Sequence, residues 1–225
     1  FWVNCVLPAK MGDVYRGWLL KHNGATSFGN AVGTVIAERL VDLATVALLG
    51  AASTFVAFGG NLPPTALALT AIALGVAAAT TLLLLVARGF AAALIYALPI
   101  PDAIKSGFTN AAASLRAGSG GRVVRTALPF SLAIWIGESL RLAAVAMALG
   151  LFVVNPAAGQ IGIASTIFVA LVSAVLTVVP FTPAGIGIVE AGMVGILVAL
   201  FGFTPESAIA LALLARLVGV GSLIV

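Results

Sequence analysis

Long apolar runs, separated by short polar or proline- and glycine-rich stretches, dominate the chain. The runs at 65–87, 123–154 and 161–179 are each close to or above the ~20 residues that a membrane-spanning helix needs. A fourth run, at 28–58, is equally apolar apart from charged residues in its first third. A transmembrane strand would instead alternate apolar and polar residues. The pattern therefore predicts an all-α integral membrane protein, a polytopic helix bundle.

One interruption of this pattern, at 178–192, contains two prolines, two closely spaced glycines and a carboxylate. Proline removes a backbone donor and glycine permits sharp turns, so the helix must break or stop here. Broken backbone at membrane depth is tolerated only where protein buries it or where it lines a water-filled cavity. We therefore expect a functional break, either within a full crossing or at the tip of a re-entrant segment. The alternative is a plain surface loop between two ordinary spans.

A similar interruption lies near the start of the chain. Both stretches have the pattern Pro-Ala-x-x-Gly followed by a carboxylate, and both precede a helix with an Arg-Leu-Val step, at Arg39 and at Arg216. Paired interruptions of this kind point to the binding site of a transporter. We predict an internal repeat with elements 1–58 and 178–225, while parallel or inverted orientation and chance similarity remain open. The predicted structural breaks are Pro8, Gly12, Pro180, Pro183, Gly185 and Gly187.

Composition supports the membrane assignment and narrows the chemistry. The chain is 62% hydrophobic and only 8% charged, with a mean hydropathy of +1.21, which excludes a water-soluble domain of this length. The single cysteine and single histidine argue against a disulfide and against a His/Cys metal site. Nothing indicates a cofactor or nucleic-acid binding. Because the chain opens with Phe1 and ends within an apolar run, we expect 1–225 to be one transmembrane domain of a longer protein.

Positive charge is concentrated in two segments. Lys and Arg cluster in 8–26 and in 88–125, and the positive-inside rule places such segments on the cytoplasmic side of the cell membrane. Two crossings separate them, so the two assignments agree. Within the second segment, 102–117 is weakly amphipathic and is predicted to lie on the cytoplasmic surface as a helix.

Ionisable side chains inside apolar runs are functional candidates by default. Three pairs lie at i, i+3 and can form ion pairs on one helix, whereas Arg216 has no acidic neighbour at helical spacing. Its partner must come from another helix, a backbone carbonyl or a bound anion. Solvated charges at the membrane surface and purely structural ion pairs are the alternatives. The candidate substrate-binding residues are Asp13, Arg16, Glu38, Arg39, Asp42, Glu138, Arg141, Glu190 and Arg216.

These motifs together resemble the transmembrane-domain family of lysylphosphatidylglycerol synthase/flippase proteins. The resemblance covers most of the chain and rests on the proline-glycine motifs, on Glu38-Arg39-Leu40 with Asp42, and on Arg216. Lys10 and Asp13 stand where the family pattern suggests Arg and Glu, which keeps charge but gives up a bidentate guanidinium. The resemblance implies the handling of lipids, as in the flippase part of multiple peptide resistance factors. The aminoacyl-transfer domain of the fused proteins is absent from this chain.

The leading hypothesis is a flippase that moves a phospholipid or lipid-linked headgroup through a polar cavity between the two broken elements. Arg39 and Arg216 would attract the phosphate, since a guanidinium can donate two parallel hydrogen bonds. If carboxylates neutralise both arginines, no phosphate site remains. A membrane enzyme of lipid biosynthesis is disfavoured because no nucleophile, base and orienting group are found together, and a scaffold subunit is the third possibility. Membrane lipids are the expected partners, and a lipid-modifying enzyme is a candidate partner.

Overall fold

The computed structural model describes residues 11–23, 27–97, 121–154, 156–177 and 185–221, with a few isolated positions between 105 and 113. These residues are 82% helical and form no strand, so the predicted all-α architecture is confirmed. The helices of the described part are α1 (Met11–His22), α2 (Phe28–Ala57), α3 (Pro64–Ala97), α4 (Gly121–Ala148), α5 (Ile163–Leu176), α6 (Ile188–Phe201) and α7 (Pro205–Gly221).

Helix α2 is the central element of the bundle. It starts where the sequence predicts, because the side chain of Ser27 accepts a hydrogen bond from the Asn30 N–H at 3.2 Å. Over its 30 residues it packs against α1, α3, α4 and α5. Its contact with α3 includes a hydrogen bond between the hydroxyls of Thr54 and Thr70, 2.9 Å apart. Polar side chains thus join apolar helices where water cannot compete.

The ends of helices α3 and α4 compare differently with the sequence pattern. The sequence predicts an apolar span that Arg88 ends, with 89–101 as an extension or an interfacial piece, and α3 does extend to Ala97, since nothing directly after Arg88 removes a donor or forces a turn. Conversely, α4 was expected to reach Val154 and ends at Ala148. The reason is Gly150, which adopts a φ of 70° and lets the chain leave the helix through a left-handed turn.

Helices α5 and α6 form an antiparallel hairpin. Each has 14 residues, so each is about 21 Å long. The start of α5 and the end of α6 lie together, because the Gly159 N–H donates to the Phe201 carbonyl at 2.7 Å. The rings of Phe58, Phe168 and Phe201 pack in pairs at this same end. Thr177 at the end of α5 and Gly187 at the start of α6 therefore lie at the opposite end of the two helices.

The core lies where α4, α5, α6 and α7 meet. Phe168, Leu197 and Leu211 are its large, almost fully buried side chains. Alanines on α4 and α7 allow close packing around them. The core thereby fixes the hairpin against the two helices that carry Arg141 and Arg216.

The outer surface has the apolar character of a membrane protein. Within the described residues, two helical stretches, Gly29–Ala57 and Arg125–Ala148, are long and apolar enough to cross a membrane. The hairpin helices are apolar but shorter. Large apolar side chains are exposed on several helices, including Phe55, Phe130 and Leu217.

Some predicted features lie outside the described residues or differ from expectation. Pro8, Pro180, Pro183 and most of 102–117 lie outside the described part. Gly12 lies within α1 and does not interrupt it. The repeat formed by 1–58 and 178–225 stays a prediction.

Candidate functional site

An ion pair joins the two last helices at the break before α6. The Arg216 Nε donates to Glu190 Oε1 at 2.7 Å. Both side chains are mostly buried, with exposed fractions of 23% and 17%. The sequence left three kinds of partner open for Arg216, and the structure shows a carboxylate from another helix.

Glu190 also completes the backbone at the break. Its Oε2 accepts a hydrogen bond from the Gly187 N–H at 2.6 Å, so one carboxylate bridges the start of α6 and Arg216. Gly185 and Gly187 adopt φ values of 73° and 90°, a region that L side chains rarely occupy. The glycines thus permit the turn, and the carboxylate satisfies a donor that the turn exposes.

A second ion pair, on α4, reaches the same helix α7. Arg141 pairs with Glu138 through both carboxylate oxygens, as its i, i+3 spacing predicts. Its remaining terminal nitrogen donates to the Ala215 carbonyl. Since Ala215 precedes Arg216 in the chain, the two ion pairs are neighbours at the α4–α7 contact. We call Glu138, Arg141, Glu190 and Arg216 the central charge cluster.

The cluster has a common level in the bundle. At 1.5 Å per residue, Glu190 lies about 16 Å before the end of α6 at Phe201, and Arg216 lies about 16 Å after the start of α7 at Pro205. Because the short connection at 202–204 makes α6 and α7 antiparallel neighbours, this equal spacing brings the two side chains together. Glu138 is about 15 Å before the end of α4, which lies at the same end of the bundle.

A separate polar contact links α2 to α4. Ser131 donates to Asp42 Oδ1 at 2.5 Å, and Asp42 lies 3.9 Å from an Arg39 nitrogen. Arg39 is more exposed than the arginines of the cluster, at 47%. The predicted Arg39–Asp42 pair is present but long, and Asp42 takes its short hydrogen bond from a serine that sequence analysis did not select. We call Arg39, Asp42 and Ser131 the α2–α4 contact.

Helix α4 carries parts of both sites on one face. Residues four and seven positions after Ser131 return to the same side of a helix, and these positions are Trp135 and Glu138. The indole Nε1 of Trp135 is buried and has no hydrogen-bond acceptor among the described residues. Trp135 was not among the predicted site residues, and its i−3 relation to the predicted Glu138 was the one usable signal, since Ser131 was not predicted either.

The remaining predicted site residues do not belong to the two sites described above. Asp13 and Arg16 lie on α1, but their side chains fall outside the described part of the structure. Glu38 is exposed and has interactions of its own.

A small crevice between α2, α3 and α5 is walled by apolar residues such as Val46 and Leu171, and no charged side chain lines it. No three His, Cys, Asp or Glu side chains in the described ranges are placed to hold a metal ion.

The chain is similar to known membrane proteins. The family model of the lysylphosphatidylglycerol synthase TM region matches residues 1–225. The UPF0104 membrane protein MJ1078 of Methanocaldococcus jannaschii is 30% identical over 228 residues, covering 99% of this chain and 89% of that protein. No solved structure matches the chain significantly.

Proposed function

Because the chain belongs to the lysylphosphatidylglycerol synthase transmembrane-region family, we propose that it is a flippase. It would move a phospholipid or lipid-linked headgroup between the two leaflets of a membrane. The observation that carries this proposal is the Glu190–Arg216 ion pair, held at a glycine-rich helix break inside an apolar bundle. Ionisable groups at membrane depth are functional-site candidates by default, because they commonly lie on substrate pathways.

The dimensions of the α5–α6 hairpin support a site at membrane depth. Each helix is about 21 Å long, whereas the hydrocarbon core of a bilayer is about 30 Å thick. Both helices begin or end at the same end of the bundle as the end of α4. We infer that the hairpin is re-entrant, with the start of α6 and the central charge cluster inside the bilayer. Such broken helices commonly form the substrate sites of transporters.

The charge balance of the site favours a particular headgroup. The central charge cluster has two carboxylates and two guanidinium groups, and Glu38, Arg39 and Asp42 add two acids and one base. Asp42 and Glu190 pair with Arg39 and Arg216, so the condition under which a phosphate alone has no site is met. A headgroup with phosphate alone would compete with Glu190 for Arg216 and leave the acid uncompensated. Removing one partner of a buried pair costs about 3–5 kcal/mol. A headgroup with both a phosphate and an amine avoids this cost, because its phosphate can pair with Arg216 while its amine pairs with Glu190.

This exchange of partners gives a simple transport step. In the empty site Glu190 and Arg216 neutralise each other. The headgroup would separate them, pair with both and leave them to re-form their ion pair after release. The site thus returns to its starting state without an uncompensated charge. We propose no catalytic step, cofactor or metal for this cycle, and the protein would act as a transporter rather than an enzyme.

Translocation of labelled phosphatidylethanolamine in liposomes tests the proposal. We expect Glu190→Gln and Arg216→Ala to lose most of the translocation shown by the parent protein. Glu206→Gln is the matched control, because Glu206 is an exposed acid in the first turn of α7, and it should translocate normally. The double variant Glu190→Gln/Arg216→Gln removes both charges together, so it should fold better than Arg216→Ala yet remain inactive.

Other outcomes would indicate other functions. Chemical turnover of the lipid would indicate an enzyme, and normal translocation by a well-folded double variant would refute the role of the pair. If the parent protein shows no transport activity and the variants are lost from the membrane, the protein would be a scaffold, for example for a lipid-modifying enzyme. Cysteine labelling at 8–26 and 88–125 in whole cells would test the proposed cytoplasmic side of the cell membrane.

A further inference from the structure

The indole N–H of Trp135 is an unsatisfied donor in the interior of the bundle. Its Nε1 is buried and meets no acceptor in the described part of the chain. Leaving a buried donor without a partner costs about 1–3 kcal/mol, and phenylalanine would fill much of the same space without that cost. Because the described residues offer this donor no acceptor, the position suits an acceptor that a ligand supplies.

The position of Trp135 indicates where such an acceptor would come from. Along α4 it lies about 6 Å from the level of Ser131 and about 4.5 Å from that of Glu138. The three residues share one face of the helix. A ligand passing between the α2–α4 contact and the central charge cluster would therefore pass the indole. The guanidinium groups of Arg39 and Arg141 belong to those two sites, so an anionic oxygen is the favoured acceptor on a ligand that passes between them.

We propose that the Trp135 indole donates a hydrogen bond to a phosphate oxygen of a lipid headgroup. The inference rests on the proposed function and adds a binding residue to the same path. Arginine supplies charge, whereas the indole supplies one donor in a fixed direction. It would hold the headgroup between the α2–α4 contact and the central charge cluster.

A fluorescence titration tests the contact without altering Trp135. The chain has three tryptophans, so Trp2→Phe/Trp18→Phe leaves Trp135 as the single emitter. Protein in a phosphate-free maltoside detergent is titrated with phosphatidylethanolamine, with dioleoylglycerol or with inorganic phosphate. We expect a saturable shift to longer wavelength with the phospholipid, because a hydrogen bond to Nε1 stabilises the polar excited state. Dioleoylglycerol, which has esters but no phosphate, should give no such shift.

The variant Trp135→Phe measures the contribution of the N–H. We expect phosphatidylethanolamine to bind it about tenfold more weakly than the parent, a difference of about 1.4 kcal/mol. Its thermal stability should be equal or higher, since the unsatisfied donor is gone. A purely structural tryptophan would instead lower stability when replaced and leave lipid affinity unchanged. Trp18→Phe is the matched control, because the Trp18 side chain is 49% exposed.

The possible results separate this inference from the proposed function. An equal shift with dioleoylglycerol would refute the phosphate as the acceptor. An equal affinity for inorganic phosphate would refute the lipid as the source of that phosphate. No shift with any ligand, together with normal binding by Trp135→Phe, would mean that the N–H serves no ligand. Saturable binding at Trp135 without translocation by the parent would refute the proposed flippase activity but support the contact between Trp135 and the headgroup.

Discussion

The contact between Arg141 and Gly219 allows a quantitative test of the central charge cluster. Gly219 lies in α7, and a methyl group built there would stand 2.5 Å from Arg141 Nη1 and 2.9 Å from Cζ. Carbon atoms do not approach this closely, so the guanidinium has to move in Gly219→Ala. The guanidinium is held by Glu138 and by the Ala215 carbonyl. Because Ala215 and Gly219 are both on α7, we expect Gly219→Ala to break the hydrogen bond to the Ala215 carbonyl.

The expected magnitude follows from two opposing terms. Hydrogen bonds to charged groups contribute about 1.5–3 kcal/mol. Replacing glycine by alanine inside a helix gains about 0.5–1 kcal/mol. Gly219→Ala should therefore lower the free energy of unfolding by about 0.5–2.5 kcal/mol. The sign is the informative part, because helix propensity alone predicts a gain.

Equilibrium unfolding by dodecyl sulfate in mixed micelles measures this difference. Gly137→Ala is the matched control, since a methyl group at Gly137 meets nothing within 4 Å, and it should be neutral or stabilising. In a Glu138→Ala/Arg141→Ala background the clash is absent, so Gly219→Ala should become stabilising by about 0.5–1 kcal/mol. Equal or higher stability of Gly219→Ala in the parent protein would refute the argument that Arg141 is fixed against α7.

Three further predictions concern contacts elsewhere in the bundle. Ser131→Ala removes the donor to Asp42 and should lower the free energy of unfolding by about 1.5–3 kcal/mol; a loss below 0.5 kcal/mol would contradict the short bond. Gly187→Ala forces a side chain to a φ of 90° and should cost about 1–3 kcal/mol, measured in the same way. A double-mutant cycle with Thr54→Val and Thr70→Val should give a coupling of about 0.6 kcal/mol, as is usual between membrane helices, and zero coupling would contradict the hydroxyl contact.

Two controls accompany these variants. Ser139 donates only to the Trp135 carbonyl on its own helix, so Ser139→Ala should cost less than Ser131→Ala. Gly195 lies within α6, and a methyl group there meets nothing within 4 Å, so Gly195→Ala should not destabilise. If both pairs of variants behaved alike, the specific contacts at Ser131 and Gly187 would have no special importance.

Local features of the fold could be predicted from the sequence because they depend on neighbouring residues. Ser27 and Thr204 are of the residue types that commonly begin helices, and both side chains accept hydrogen bonds from backbone N–H groups. The Glu138–Arg141 pair likewise follows from its spacing. Where a helix ended at an overlooked glycine, as at Gly150, the prediction was wrong by several residues.

Contacts between helices could not be predicted in the same way. The Glu190–Arg216 pair depends on α6 and α7 being antiparallel neighbours, and the Ser131–Asp42 bond depends on α2 lying beside α4. Apolar helices offer no periodic stripe that indicates which neighbour they contact, since nearly every face is apolar. The unsatisfied donor of Trp135 is likewise visible only when every neighbour is in place.

The break, the acid and the arginine belong together for a physical reason. At the membrane depth proposed for the start of α6, the first N–H groups of the helix would lack helical acceptors and would find no water. Glu190 accepts from Gly187, but an unpaired carboxylate in the bilayer would itself be costly. Arg216 removes that cost by pairing with Glu190. Glu190 therefore satisfies the Gly187 N–H, and Arg216 neutralises Glu190. The effects of Glu190→Gln and Arg216→Gln on stability should be strongly non-additive, with the double variant less destabilised than the sum of the two single variants.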